Sequence, residues 1–144
     1  MVRDVRHDSV YLFGAICPTR GVGAAIIMPG VNTEGMNEHL LEISSQVAPG
    51  SHAVLVCDGA GWHQTGRALR VPDNITLLSL PPYAPELNSM ENVWAYLRAN
   101  KLCNLVWNSY KAIVNDCRKA WNFLVDDPDR IRSIGLRDWA CVSR

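Results

Sequence analysis

Apolar residues in this chain fall in short runs separated by Pro, Gly and Asn, and the runs switch between strand-like and helix-like spacing. Val10–Cys17 (VYLFGAIC) is rich in β-formers, Pro18-Thr19-Arg20-Gly21 turns the chain, and Val22–Met28 (VGAAIIM) follows, so the opening predicts a β-hairpin. Pro29-Gly30 ends it. Asn32 or Thr33 can cap a helix in which Met36, Leu40, Ile43 and Val47 form one apolar stripe, and Pro49-Gly50 stops that helix. His52–Cys57 (HAVLVC) is too short for a helix and predicts a buried strand ending at Asp58-Gly59. Trp62–Leu69 has weak helical character, and Ile75–Leu80 (ITLLSL) predicts a further strand. Pro81, Pro82 and Pro85 then force an extended loop.

Two helices complete the pattern. The first should start near Asn88 and bury Leu87, Met90, Trp94 and Leu97, with Glu91 at the edge of that stripe. The second, Trp107–Val125, has a stripe of Tyr110, Val114, Cys117, Trp121 and Leu124, with Lys111, Arg118 and Lys119 lying off it. Asp127-Pro128 breaks this helix, and a short turn is expected around Asp129–Ile134. No linker, repeat or low-complexity segment interrupts the chain, so residues 1–144 are expected to form a single α/β domain, a mixed sheet flanked by helices. A hairpin at the very start would be an exposed sheet edge, which natural domains usually cover or pair.

The 144 residues are 48% hydrophobic and 19% charged, enough apolar material for a core. No apolar run approaches the roughly 18 residues of a membrane span, and MVRDVRHDSV lacks a secretory apolar stretch. Cys17, Cys57, Cys103, Cys117 and Cys141 are odd in number and contain no C-x-x-C pair, which fits reduced thiols in a cytoplasmic protein. The zero net charge hides an asymmetry: residues 1–91 hold 5 Lys/Arg and 9 Asp/Glu, whereas residues 92–144 hold 9 and 5. An acidic half followed by a basic half suits a carboxylate site beside a phosphate-facing surface, though a chance fluctuation gives the same totals.

Asp58 is predicted at the C-terminal end of a buried strand, where ligands bind in open α/β sheets. Glu91 follows 33 positions later near the start of a helix, so two carboxylates from different elements can converge on one polar spot. Oxygen-only sites of this kind suit Mg²⁺ or Mn²⁺. The competing reading is a turn-forming Asp and a Glu that serves its helix dipole.

The two segments VLVCDGAGWHQTG and NITLLSLPPYAPELNSMENVWAYLR resemble the bacterial insertion-sequence branch of the mariner-like transposases, whose catalytic part is a DDE superfamily endonuclease domain. The matching positions are Asp58 and His63 in the first, and Leu80, Pro81, Pro82, Tyr83, Pro85, Glu86, Leu87, Asn88, Glu91 and Trp94 in the second. The resemblance continues through YLFGAICP and Asp127–Ile134. It implies a ribonuclease-H-like fold and a catalytic set of Asp, Asp and Glu, in which Asp58 is the second Asp and Glu91 the Glu. The first Asp would lie on a strand preceding the hairpin. Residues before Val10 form no such strand, and neither Asp4 nor Asp8 is assigned, so the chain is expected to be an N-terminally truncated catalytic domain lacking that strand and the helix-turn-helix region.

The resemblance further implies DNA transposition: metal-dependent strand cleavage and strand transfer at transposon ends by the parent enzyme, with Mg²⁺ or Mn²⁺ bound by Asp58 and Glu91. The alternative is a catalytically inactive or split-frame fragment that binds DNA or the intact transposase. His63, Asn88 and Asn92 are auxiliary candidates, with helix capping and packing as their plainer roles. Lys111, Arg118 and Lys119 are candidate DNA contacts or a solvated face. The tryptophans are better explained by core packing than by base stacking. The expected partners are transposon-end and target DNA, with a homo-oligomer or an N-terminal transposase segment as further partners and no membrane.

Overall fold

The hairpin forms where the sequence predicts it. Strands β1 (Tyr11–Cys17) and β2 (Val22–Met28) pair antiparallel from Tyr11↔Met28 to Cys17↔Val22. Gly21 closes the turn with a left-handed φ of 68°, and its N–H donates to the carbonyls of Cys17 (2.9 Å) and Pro18 (3.2 Å). The structure is a computed structural model and describes residues 10–30, 32–57, 69–80, 88–102 and 109–135. The expectations for the weakly helical Trp62 segment, the Pro81–Pro85 loop, Leu87 and the start of the last helix at Trp107 lie wholly or mainly outside the described residues.

Helix α1 (Thr33–Gln46) starts because Asn32 is extended and its side chain accepts the N–H of Gly35 at 2.8 Å. It buries Met36 and Leu40 as the stripe predicts, and also Asn37 and His39. Asn37 is accounted for by its Oδ1, which accepts the N–H of Arg70 at 2.7 Å. Asn74 accepts from Ser44 Oγ at 2.7 Å and donates to the Ser44 carbonyl at 3.2 Å, tying α1 to the chain that enters the second strand pair.

That pair is β3 (Ala53–Cys57) and β4 (Ile75–Ser79), parallel in register from Ala53↔Ile75 to Cys57↔Ser79. One mixed sheet was expected. Among the described residues there are instead two separate two-stranded sheets, β1-β2 and β3-β4. Helices α2 (Met90–Asn100), α3 (Tyr110–Val125) and α4 (Pro128–Gly135) follow. The turn expected at Asp129–Ile134 is this last helix. Pro128 sits at its first position, where a missing N–H costs nothing, and Asp127 Oδ1 accepts the N–H of Arg130 at 3.2 Å.

Two apolar clusters flank the hairpin, and the alternation of β1 feeds both. Phe13 joins Met36, Leu40, Leu69 and Ile75 on the α1 side. Leu12 and Ile16 pack against Val93, Leu97, Ala120, Trp121, Leu124 and Ile131 from α2, α3 and α4 on the other side. The buried stripes are rotated from those expected. Val93 is fully buried while Met90 and Trp94 are only partly so, and α3 buries Ile113, Cys117, Ala120, Trp121 and Leu124 and leaves Tyr110 exposed. Trp94 and Trp121 both approach β1 closely: a Cβ on Gly14 would come within 2.8 Å of Trp94 and 3.0 Å of Trp121. No described helix is long and apolar enough to cross a membrane.

Candidate active site

Because β3 and β4 run parallel, their C-terminal ends lie side by side, and the Leu80 N–H extends the ladder by donating to the Cys57 carbonyl at 2.8 Å. Asp58 follows Cys57 directly at this end of the pair; Asp58 and His63 themselves lie outside the described residues. Asn88 leads into α2. Asn88 Oδ1 accepts the Met90 N–H at 2.9 Å, while Ser89 Oγ donates to the Gly135 carbonyl at 2.6 Å and so fastens the start of α2 to the end of α4. Asn88 thus stands one residue before the N-cap, Ser89, and satisfies an amide of the first turn of α2.

Glu91 stands in the first turn of α2 with its side chain exposed, and its N–H donates to the Asn88 carbonyl at 3.1 Å. An acid there is favoured by the partial positive charge of the helix N-terminus, whether or not it serves a ligand. Asn92 is exposed one position on. A cleft of about 680 Å³ runs between the half-sheets. Cys57, the neighbour of Asp58, and Met90, the neighbour of Glu91, both line it, together with Asn88, Ser89 and Trp94. No group of three or more His, Cys, Asp or Glu side chains that could hold a metal occurs among the described residues, a search that includes Glu91 but neither Asp58 nor His63.

Lys111, Arg118 and Lys119 are all exposed on α3. At about 100° per residue they fall within an arc of about 100°, centred roughly 160° from the buried stripe. Arg118 is steadied by Asn115 Oδ1 at 3.0 Å. The basic set is thus a coherent outward face. Trp121 is buried and Trp94 half-buried, which fits core packing for these two; Trp62, Trp107 and Trp139 lie outside the described residues.

One surface feature escaped the sequence pattern. Tyr96 and Phe123 stack with ring centroids 6.0 Å apart and planes 11° from parallel. Lys101 Nζ sits 4.5 Å from the Phe123 centroid and the Arg130 guanidinium 5.3 Å from that of Tyr96. Both rings are off the predicted apolar stripes, and that was the available signal. The cluster clamps α2, α3 and the start of α4 at the surface. Burial, with a smaller contribution from Asp116, pushes the Cys117 thiol above its ordinary value and so favours its neutral form.

The family model of the DDE superfamily endonucleases matches residues 3–114, a span that contains both Asp58 and Glu91. The uncharacterized protein y4pE/y4sA of Sinorhizobium fredii (strain NBRC 101917 / NGR234) is 55% identical over 130 residues, covering 90% of this chain and 96% of its own. No solved structure matches the chain. An α/β chain with an acid directly after a parallel strand pair, a second acid at the mouth of the next helix, and a family match across both belongs to the DDE superfamily endonucleases.

Proposed function

We propose that this chain is the catalytic part of a transposase whose parent enzyme cleaves strands at transposon ends and joins them to a target, with Asp58 and Glu91 as two of its metal-binding carboxylates. The observation that carries the reading is the family match over residues 3–114, which spans both acids. The cleft adds support, since Cys57 and Met90, the residues just before each acid, line it together. Superfamily members generally use divalent metals. The donor set fits such an ion, because two carboxylates offer only hard oxygen ligands of the kind Mg²⁺ and Mn²⁺ prefer. Bound there, the ion would supply charge neutralisation and activation of an oxygen nucleophile.

The chain's own residues have separable tasks under this proposal. Asp58 and Glu91 hold the ion. Asn88 fixes the first turn of α2 and thereby the direction in which Glu91 projects. His63 and Asn92 are auxiliary groups beside the acids, and the Lys111, Arg118 and Lys119 face binds phosphates through charge. The single domain of residues 1–144 takes a ribonuclease-H-like arrangement, which the order of an antiparallel hairpin, a helix, a parallel strand pair and further helices supports.

The test is Mn²⁺ binding to the full chain, read by paramagnetic broadening of backbone amide signals. Signals of Cys57 and Met90 should broaden in the wild type. The broadening should need about tenfold more Mn²⁺ in Asp58→Asn and in Glu91→Gln. Broadening that is unchanged in both variants, or that centres elsewhere, overturns the assignment.

A further inference from the structure

Ser89 occupies the N-cap of α2, yet its side chain caps nothing in that helix. A serine at this position ordinarily accepts an N–H of the first turn. Here Asn88 does so instead, its Oδ1 accepting the Met90 N–H at 2.9 Å, and the Ser89 hydroxyl donates to the Gly135 carbonyl at 2.6 Å, 46 residues away. Gly135 ends α4, where a carbonyl has no partner within its own helix. α4 is itself seated on the hairpin at both ends. A Cβ on Gly21 would stand 2.9 Å from Pro128 Cβ, and the Arg132 guanidinium donates to the Arg20 carbonyl at 3.4 Å. At the other end, a Cβ on Gly135 would come to 2.5 Å from Ile16 Cδ1 and 2.6 Å from Pro18 Cγ. The Ser89 carbonyl meanwhile accepts the N–H groups of Asn92 (3.0 Å) and Val93 (3.3 Å), so this one residue both closes the first turn of α2 and anchors it to α4.

We propose that Ser89 is a positioning residue for Glu91, a role that rests on the reading of Glu91 as a metal ligand. Its hydrogen bond to Gly135 ties the first turn of α2 to α4, and through α4 to the hairpin, and so holds the Glu91 carboxylate where it meets a divalent ion. Glu91 lies two positions beyond Ser89, exposed, and its carboxylate makes no hydrogen bond or ion pair to a described residue. Nothing at the tip of the side chain fixes it, so its direction is inherited from the backbone of the first turn. First turns of helices fray readily, because their N–H groups lack partners one turn back. A metal ligand tolerates little of this, since metal–oxygen distances hold to within about 0.2 Å. Ser89 commits its hydroxyl hydrogen to Gly135 and therefore acts on the ion only through Glu91.

The test is the Mn²⁺ concentration that broadens the Met90 amide signal of the full chain, compared across variants. Ser89→Ala should need about three- to tenfold more Mn²⁺ than the wild type, the range one net hydrogen bond spans, and Ser89→Thr, which keeps the hydroxyl, no more than about twofold. Gly135→Ala reaches the same bond from its other end, because the added Cβ must displace the carbonyl, and should weaken binding to a similar degree. The double variant should be no weaker than the weaker of the two single ones. A role confined to stability would lower the unfolding midpoint of Ser89→Ala and leave its Mn²⁺ requirement at the wild-type value, which overturns the proposal. A threonine variant as weak as the alanine one overturns it too, as do losses that add in the double variant. Asp58→Asn and Glu91→Gln, measured alongside, separate the two ways of failing. If they weaken binding and Ser89→Ala does not, only the role of Ser89 falls. If they also leave binding unchanged, the metal assignment falls and this proposal falls with it.

Discussion

Gly14→Ala puts the central packing argument under the sharpest strain. Glycine in a strand interior normally weakens the strand, so alanine should help by local propensity and by restricting the unfolded chain, a gain of about 0.4–1 kcal/mol. The structure predicts the opposite sign. A Cβ at Gly14 comes to 2.8 Å from Trp94 Cη2 and 3.0 Å from Trp121 Cη2 and Cζ3. One or both rings would have to shift: their centroids are 6.1 Å apart, and Trp121 also stands 3.0 Å from the position a Cβ on Gly23 would take. Overpacking of this kind costs about 1–3 kcal/mol, which leaves a net loss of about 1–2 kcal/mol. Gly30→Ala is the control, since its Cβ meets nothing closer than 3.9 Å. Urea unfolding followed by circular dichroism measures both, and a shift in midpoint at constant slope isolates stability. Trp94→Phe in the Gly14→Ala background should recover part of the loss, with a coupling energy of about 0.5–3 kcal/mol. A Gly14→Ala protein as stable as the wild type, or a double mutant whose losses simply add, would refute the claim that the two rings are braced on this glycine.

Other consequences follow from single contacts. Leu124→Ala removes a side chain with 0% exposure from the α2–α3–α4 cluster and should cost about 2–5 kcal/mol in the same unfolding assay. Asn32→Ala deletes the 2.8 Å cap of α1 and should cost about 0.5–2 kcal/mol, whereas Asn32→Asp should be close to neutral. Cys17 is exposed and should alkylate in the native protein, while Cys117 should react only on unfolding. Because the folded state raises the Cys117 value above its ordinary 9.0, it favours the neutral thiol; that contribution is whole below 9.0 and is lost as pH rises through the folded value. Cys117→Ala should therefore flatten the alkaline end of a stability–pH curve.

Local chemistry was legible where it acts over a few residues. The hairpin turn at Gly21, the Asn32 cap and the Pro128 break each depend on one side chain or one φ, and each predicted element stands close to its expected place. The rotation of the α2 and α3 stripes was not legible, because which face a helix buries is decided by partners distant in sequence, such as the Gly14 and Gly23 that Trp121 meets. Sheet organisation was equally out of reach: the periods of VYLFGAIC and HAVLVC say that both are strands, but not that their facing edges stand apart across a cleft. Of the site, the sequence placed Asp58 after a strand and Glu91 at a helix mouth by element length alone. Glu91 proved more exposed than the edge of a buried stripe, since Val93 rather than its neighbours points into the core.

The two acids are carried by different parts of the molecule, and this limits what can set their separation. The strand before Asp58 is held through Ala53 and Leu55 against the cluster of Phe13, Met36, Leu40, Leu69 and Ile75. The helix of Glu91 is held through Val93 and Leu97 against Trp121, Leu124 and Ile131. Among the described residues the bridge between these clusters is the β1–β2 hairpin, which gives Phe13, Ile26 and Met28 to one and Leu12, Ile16 and Ala25 to the other. A two-stranded hairpin is a slender brace for two groups that, under the proposed function, would have to meet within the few ångströms a metal ion spans. Under the proposed function, the separation of Asp58 and Glu91 is therefore set by side-chain packing on the hairpin, because no sheet among the described residues runs continuously from one acid's element to the other.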